Sequence, residues 1–186
     1  MSFFKKLCRI LFVFNIPPAS EEELQTADVI VTQAAGRKVD GTPTPANFVL
    51  ARIAHKLQEK YRLPLLVQEE VKMADPELVT EFVAINASFI GLSTPSWNTF
   101  EVAKVQIEYC KRKGYKKGIV IPAVPDHMGR AVWSYQTLGL ETLPISMPED
   151  INYFVLENIQ WFDRTWLRFR IRETLTRLLF WYWGYI

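Results

Sequence analysis

The fold follows most directly from residues 93–139, which read STPSWNTFEVAKVQIEYCKRKGYKKGIVIPAVPDHMGRAVWSYQTLG. At the centre is GIVI at residues 118–121, a β-branched apolar run between two segments with helical periodicity. Such a run predicts a buried parallel strand. Open parallel sheets bind their ligands at the carboxyl ends of the strands. Residues 122–130 are therefore predicted to lie at the rim of a binding crevice.

The rest of the chain continues the alternation of strand and helix. Strands are predicted at residues 27–33, 63–68, 118–124 and 141–146, the last at an edge because Pro144 cannot donate to a central ladder. Residues 89–93 are predicted to form a short third strand or a turn. Helices are predicted at residues 45–61, from Asp75-Pro76-Glu77 onward, at 98–113, at 128–138 and from Tyr153. This order predicts an α/β fold with a mostly parallel sheet of about five strands.

Three segments divide the chain: residues 1–26, 27–147 and 148–186. The first is apolar and then acidic. A spanning helix needs about 20 apolar residues, and the run from Leu7 to Ile16 is about half that and contains Arg9. We interpret it as an uncleaved segment that packs on the protein, with a membrane-surface segment as the alternative. The expected location is the cytoplasm, with the inner membrane surface left open.

Composition excludes several classes of function. The chain has 186 residues, 49% of them hydrophobic, and a net charge of only +2. That balance is typical of one globular domain and argues against a general nucleic-acid binder, which carries a dominant basic face. Cys8 and Cys110 are too few and too far apart for a disulfide framework or a metal site. No metal site is predicted at His55 or His127 either, since neither has a ligand at suitable spacing.

The loop after the first predicted strand contains Ala35-Gly36-Arg37. In a doubly wound fold this loop approaches a phosphate or carboxylate with its backbone N–H groups, so Gly36 and Arg37 are candidate ligand-binding residues. A dinucleotide fingerprint needs three glycines here, and the loop has one. The P-loop, nucleophile-elbow and His-Glu-x-x-His motifs are absent as well. No cofactor is assigned.

The first polar cluster, Asn98, Thr99 and Glu101, opens the helix at residues 98–113. Asn and Thr at this place cap a helix, a role worth about 1 kcal/mol. They also suit hydrogen bonding to a polar ligand at the helix N-terminus, and the sequence leaves both roles open.

The second polar cluster, Asp126, His127 and Arg130, opens the helix at residues 128–138. His127 is either a general acid or base or an ordinary loop histidine. Arg130 lies in the first turn of its helix, although cations prefer the other end. This position predicts an anion or a carboxylate near Arg130.

The C-terminal segment has two stripes at helical spacing. Arg164, Arg168 and Arg172 form a basic one, and the apolar one consists of Leu167, Ile171, Leu175, Leu178, Leu179 and Tyr182. One interpretation is an amphipathic helix on a membrane surface or a partner, anchored by the aromatic C-terminus. The other is a helix packed on the sheet with its arginines reaching solvent. The second is favoured because acidic residues are interspersed among the arginines.

The motifs SWNTFE at residues 96–101 and DHMGRA at residues 126–131 resemble those of the bacterial YdcF/SanA/ElyC family. That family carries Ser-x-Asn-Thr-x-Glu-Asn and, about 30 residues on, Tyr-His-Met-x-Arg-Ala. The resemblance covers roughly residues 27–147. It implies a Rossmann-like, three-layer domain with helices on both faces, a polar pocket at the strand ends and a link to the cell envelope. It establishes no reaction.

Three departures from the family pattern stand out. The second strand ends in Gln68-Glu69-Glu70 where the family has Ser-Gly-Gly, and the two carboxylates would either favour a cationic ligand or fill the pocket. Val102 replaces the second Asn of the first motif. Asp126 replaces the Tyr before the histidine.

The resulting hypothesis is a domain that binds a small polar ligand, anionic or nucleotide-like, at the strand ends. Should it be an enzyme, His127 is the expected acid or base and Arg130 the charge stabiliser. The alternative is a non-catalytic member that acts as a structural or interaction protein through its C-terminal helix. The candidate ligand-binding residues are Gly36, Arg37, Gln68, Ser96, Asn98, Thr99 and Glu101.

Overall fold

The fold is an α/β sandwich, seen in a computed structural model that describes residues 16–85, 99–148 and 151–182. Its strands are β1 (Val29–Thr32), β2 (Leu65–Gln68), β3 (Phe82–Ala84), β4 (Lys117–Ile121) and β5 (Glu141–Pro144). Its helices are α1 (Glu21–Leu24), α2 (Pro45–Tyr61), α3 (Glu69–Ala74), α4 (Thr99–Lys113), α5 (Met128–Thr137) and α6 (Trp166–Tyr182), with 3₁₀ turns at Pro125–His127 and Trp161–Arg164.

The five strands form one parallel sheet in the order β3-β2-β1-β4-β5. Val31 of β1 pairs with Leu66 of β2 on one side and with Val120 of β4 on the other. The predicted α/β class, the parallel sheet with β5 at its edge and the Rossmann-like sandwich are confirmed. The chain changes direction across the sheet between β1 and β4, and this is the point where open sheets of this kind leave a crevice for ligands.

The core lies on both faces of the central strands. Ile30, Leu66 and Ile119 are fully buried, as expected of continuous apolar strands covered by helices on each side. Gly118 allows an especially close approach between β4 and its neighbours: a Cβ built there would lie 2.8 Å from Leu140 Cδ2 and 3.3 Å from Val29 Cγ1. Apolar burial therefore fixes the strand edge that carries the polar loops.

The helix predicted from Asp75-Pro76-Glu77 is wrong. Leu78 N–H bonds to Asp75 O in a turn, and the following residues form β3, which pairs with β2 at Leu66–Phe82. Pairing with the sheet outweighed the local helix-start signal. Strand pairing is a long-range contact, so a local sequence pattern does not predict it. The short third strand or turn predicted at residues 89–93 lies outside the described residues.

Two further expectations about helices are wrong. The helical period of residues 45–61 predicts Phe48 on the apolar face of α2, but the residue is 52% exposed. The C-terminal helix begins at Trp166 rather than at Tyr153, because the preceding segment forms turns, an isolated bridge and the 3₁₀ turn at Trp161–Arg164. Asn158 forms a bridge with Lys38, and its side-chain amide donates to the carbonyl of Ala35 at 3.1 Å. Among the described residues, no helix has the length and apolar character needed to cross a membrane.

Candidate functional site

A small cavity of about 50 Å³ lies at the carboxyl edge of the sheet, at the β1–β4 switch point. The predicted site residues that line it are Gly36, Gln68, Thr99, His127 and Arg130. The parallel sheet brings them together because the loops after β1, β2 and β4 all leave the same edge. The structure also gives the cavity a wall from the C-terminal segment, which includes Gln160, Asp163 and Arg172.

His127 contacts four other side chains and is 3% exposed. Its Nε2 lies 2.8 Å from the Thr99 hydroxyl and 3.0 Å from Gln33 Oε1. Its Nδ1 lies 3.1 Å from Glu173 Oε2 and 3.1 Å from Arg130 Nη2. Each ring nitrogen thus has one group that can donate and one that can accept. Both neutral tautomers of the imidazole are therefore satisfied by the same surroundings.

The carboxylate that the position of Arg130 predicts is supplied by the chain itself. Glu173 of α6 is fully buried and accepts from Arg130 Nε at 3.2 and 3.0 Å through its two oxygens. The same carboxylate accepts from Arg177 Nε at 2.9 Å. Arg177 Nη2 then donates to the carbonyl of Asp126 at 3.0 Å. We call Glu173, Arg130, Arg177 and His127 the buried charge cluster.

Burial and charge set the protonation states of the cluster. Burial, reinforced by the positive charge of Arg130, lowers the pKa of His127 to about 4. Burial by itself would raise the pKa of Glu173, but Arg130 and His127 hold it well below its ordinary value of 4.5. At neutral pH the cluster therefore consists of a neutral imidazole and a carboxylate between two guanidinium groups.

The wall formed by the C-terminal segment has its own charged pair. Arg172 Nη1 lies 3.4 Å from Asp163 Oδ1, and both side chains line the cavity. Burial raises the pKa of Asp163 to about 6. Burial, together with the charge of Arg130, lowers the pKa of Arg172 to about 10, so this guanidinium is still positive at neutral pH.

The two carboxylates after β2 are paired with Arg37. Arg37 Nη2 lies 2.5 Å from Glu69 Oε2, and Arg37 Nε lies 3.2 Å from Glu70 Oε1. The cation that these carboxylates were expected to attract is therefore one of the chain's own side chains. Glu70 nevertheless lines the cavity, and its Oε2 has no hydrogen-bond partner within the described part of the chain.

The loop after β1 is anchored from two sides. Gly36 has a φ of +76°, a conformation that L side chains rarely adopt. The Asn47 side chain of α2 accepts from Ala35 N–H at 2.9 Å and donates to the Gly36 carbonyl at 2.7 Å. The Gln68 side chain accepts from Ala34 N–H at 3.0 Å. The loop's polar backbone is thus fixed beside the cavity by buried amides.

Not every predicted site residue belongs to the cavity. Glu101 is exposed and does not line it. Arg37 is buried but is engaged by the two glutamates rather than by the cavity. Ser96 and Asn98 lie outside the described residues.

Sequence reasoning missed Gln33 and the C-terminal contributors Glu173, Arg172 and Asp163. The available signals were the i,i+4 pair Glu173 and Arg177 within an apolar helix and the unusual position of Arg130. Neither signal says which side chain meets which, because that depends on how α6 crosses the sheet edge. Over the described ranges, no group of three or more His, Cys, Asp or Glu side chains could hold a metal ion.

Asp126 and His127, in the turn before α5, contact α6 at different positions along the helix. Asp126 accepts from Arg170 Nε at 2.8 Å and Nη2 at 2.7 Å, and from the Trp166 indole N–H at 3.0 Å. Asp126 thus fastens the first turns of α6, while His127 contacts Glu173 one turn further along. Chemically, the site offers amide, hydroxyl, imidazole and guanidinium groups together with the carboxylates of Glu70 and Asp163.

Comparison with models of known families, with curated proteins and with solved structures found no match for this chain.

Proposed function

We propose that this protein binds a small anionic ligand, of carboxylate or phosphate size, in the cavity between β1 and β4. One observation carries the proposal: the residues around the cavity already hold a buried carboxylate, that of Glu173, through His127 and Arg130. The site is thereby built to stabilise a negative charge at the carboxyl edge of the sheet. Arg172 extends this environment along the cavity wall.

The size of the cavity favours a small ligand over a whole nucleotide. One water molecule needs about 10–15 Å³ by this measure, so a cavity of about 50 Å³ holds a few waters or a group of similar size. A carboxylate or a phosphate group with a short substituent meets this limit.

The far end of the cavity adds a second requirement. Glu70 Oε2 is buried without a hydrogen-bond donor in the described chain, and an unsatisfied buried acceptor costs free energy. A ligand hydroxyl or ammonium group would satisfy it. The preferred ligand is therefore a small anion that also donates a hydrogen bond, such as a short hydroxy acid or amino acid.

The roles of His127 and Arg130 follow from their charge states. With a pKa of about 4, His127 is neutral at pH 7 and can exchange hydrogen bonds with a ligand, but it is a poor proton donor there. Of the acid and base roles expected for His127, only that of a weak base is open to it at pH 7, and Arg130 is the charge stabiliser of any reaction at this site. The relation to the YdcF/SanA/ElyC family, and with it a role at the cell envelope, rests on the two sequence motifs.

Thermal-shift titration and calorimetry with acetate, glycolate, glycine and inorganic phosphate test the proposal. A ligand at 100 times its Kd should raise the unfolding free energy by about 2.7 kcal/mol. Glycolate is expected to bind more tightly than acetate because only glycolate can donate to Glu70. Arg172→Gln should weaken binding, and Arg112→Gln, at an exposed arginine of α4 outside the cavity, should leave it unchanged.

Glu173→Gln gives a test of opposite sign. The substitution removes a negative charge beside the cavity and leaves the cationic groups in place, so anions should bind more tightly to the variant. Weakened binding in Glu173→Gln, or equal effects of Arg172→Gln and Arg112→Gln, would contradict the assignment of the site.

A second candidate function is favoured by the internal pairing of the buried charge cluster. His127 is satisfied in both tautomers, and Glu173 is held by two arginines, without any ligand. On this basis the polar residues serve to fix α6 on the sheet, and the protein acts as a structural or interaction protein. Absence of binding by all four anions, combined with a large loss of stability in Glu173→Gln, would favour this candidate.

A further inference from the structure

Helix α6 packs with its amphipathic faces inverted. Its inward face carries Phe169, Glu173 and Arg177, spaced four residues apart, with exposures of 3%, 0% and 0%. Its outward stripe, which we call the outer stripe, consists of Leu167, Ile171, Leu175 and Leu179, with exposures of 61%, 56%, 57% and 48%. A surface helix normally buries its apolar stripe and exposes its charges. The expectation of a helix packed on the sheet with its arginines reaching solvent holds for Arg168, which is exposed, but not for the half-buried Arg164 and Arg172. The outer stripe is exposed instead of packed.

The inverted packing of α6 is stabilised because His127 and Arg130 lie beneath the helix at the sheet edge. These polar side chains are better satisfied by a carboxylate than by apolar side chains. The outer stripe is left in solvent over about 18 Å of helix, at 1.5 Å per residue. Exposed apolar patches of this kind mark surfaces that interact with a partner or a membrane. Trp166, 52% exposed, and Tyr182, 80% exposed, stand at its two ends.

The charges on this helix are arranged to suit a negative surface. Residues 163–182 contain five arginines and two acidic residues. Both acidic side chains face inward, Glu173 in the buried charge cluster and Asp163 against Arg172. Arg168 is exposed next to Leu167. Among the side chains that the structure describes, the outward side of α6 therefore combines the outer stripe with Arg168 and presents no acidic group.

We propose that the outer stripe docks α6 in the plane of an anionic lipid bilayer. The apolar side chains enter the boundary between headgroups and acyl chains, the aromatic ends lie at headgroup level, and Arg168 faces lipid phosphates. This is the distribution found in helices that lie on membranes. The inference does not depend on the ligand proposed for the cavity, because the outer stripe and the cavity lie on opposite sides of α6.

The spacing of the stripe favours a flat bilayer over a second copy of the chain. Helix pairs use a seam that repeats every 3.5 residues and keeps facing the partner. Successive residues of the outer stripe are four apart, so each step turns by about 40° at roughly 100° per residue, and the stripe covers an arc of roughly 120°. An arc that broad suits insertion into a planar surface better than a narrow seam.

Flotation with vesicles of phosphatidylcholine, with and without phosphatidylserine, tests this proposal on the full chain. The protein is expected to float with the anionic vesicles and to be released by salt, with a blue shift in tryptophan fluorescence. Ile171→Ser/Leu175→Ser should lower the partition coefficient at least about tenfold, because both side chains supply buried apolar area. Both are exposed in the folded protein, so circular dichroism and Tm should change little.

The matched control is Phe48→Ser/Val79→Ser, which removes two exposed apolar side chains outside α6 and should leave partition unchanged. Equal loss in the two double variants would overturn the assignment to α6. Equal flotation with neutral and anionic vesicles would overturn the role of charge. No flotation at all, together with a dimer that Ile171→Ser/Leu175→Ser dissociates, would replace the bilayer with a second copy and overturn the proposal.

Discussion

The sheet and helix α6 are held by opposite kinds of contact. Ile30 and Ile119 in the sheet are fully buried among apolar neighbours, whereas Glu173 and Arg177 are the most buried of the α6 side chains that the structure describes. Apolar burial is non-directional and favourable in proportion to area. A buried ion pair must first recover the cost of removing two charges from water, and this often leaves little net stability.

The two kinds of contact have different roles: apolar burial stabilises the domain, and the charged contacts position α6. The apolar strands supply the favourable free energy that holds the domain together. The buried charge cluster positions α6, because Glu173 contacts Arg130 and Arg177 donates to the carbonyl of Asp126. The α6 contact should accordingly be sensitive to single charge changes and to pH, and the sheet should be sensitive to changes of volume.

The largest expected effect comes from Glu173→Ala. The substitution leaves two buried guanidinium groups, those of Arg130 and Arg177, without their carboxylate, which should cost about 3–5 kcal/mol. Urea unfolding would measure the loss. Glu173→Leu combined with Arg130→Met and Arg177→Leu replaces the whole group by apolar side chains and should recover much of it. A loss below about 1 kcal/mol in Glu173→Ala would mean that the cluster is better hydrated than its burial indicates.

A second prediction concerns pH and uses His127. The folded state keeps the ring neutral, with a pKa of about 4 against an ordinary value of 6.5. As the pH falls through 6.5, His127 binds a proton in the unfolded chain but stays neutral in the folded chain. The free energy of unfolding therefore decreases down to about pH 4. The full effect is on the order of 3 kcal/mol.

Titration of Asp163 changes stability in the opposite direction. Asp163 therefore has to be substituted before the effect of His127 can be measured. The folded pKa of Asp163, about 6, lies above its ordinary value of 3.8, so acidification over that range favours the folded state. The comparison is therefore Asp163→Asn against Asp163→Asn/His127→Gln, followed by Tm between about pH 4.5 and 7. The first variant should lose stability more steeply on acidification. His55→Gln, at an exposed histidine of α2, is the control, and equal slopes in the two test variants would contradict a buried neutral His127.

The sheet could be predicted from sequence because its signals are local. The β-branched runs at residues 29–32 and 118–121 lie within β1 and β4, and the helix pattern of residues 45–61 coincides with α2. The carboxyl edge followed from strand order, which brought Gly36, Gln68, Thr99 and His127 to one place. Long-range pairing decided what local signals could not, and β3 formed where a helix was expected.

The face on which α6 packs could not be predicted in this way. Periodicity assigns the apolar stripe of a helix to the interior, and this assignment holds only when the surface beneath the helix is apolar. Here the surface beneath the helix carries His127 and Arg130, so α6 packs with Glu173 and Arg177 facing inward. The position of Arg130 predicted a carboxylate, but it gave no means of choosing Glu173 over other acidic residues.

The third prediction tests the sheet side with a change of volume. Gly118→Ala introduces a methyl group 2.8 Å from Leu140 Cδ2 and 3.3 Å from Val29 Cγ1, and overpacking of this kind costs about 1–3 kcal/mol. Leu140→Ala removes the nearest obstacle, so the double variant should lose less than the sum of the two single losses. Strict additivity in urea unfolding would show that the strands separate to admit the methyl group.

The smallest predicted effect is that of Arg170→Gln at the partly exposed end of the α6 contact. The Arg170 guanidinium makes a two-pronged contact with Asp126, at 2.8 and 2.7 Å, and its side chain is 33% exposed. Pairs of this kind contribute about 0.2–1 kcal/mol and are screened by salt. The stability difference from wild type should vanish in molar salt, whereas the loss in Glu173→Ala should persist because water and ions do not reach that carboxylate.

Arg168→Gln, at a neighbouring exposed arginine, is the control for a general effect of charge. If salt removed the stability loss in Glu173→Ala as well as that in Arg170→Gln, the buried charges of the α6 contact would be screened like the exposed ones. That result would contradict the proposed difference between buried and exposed charge in this helix.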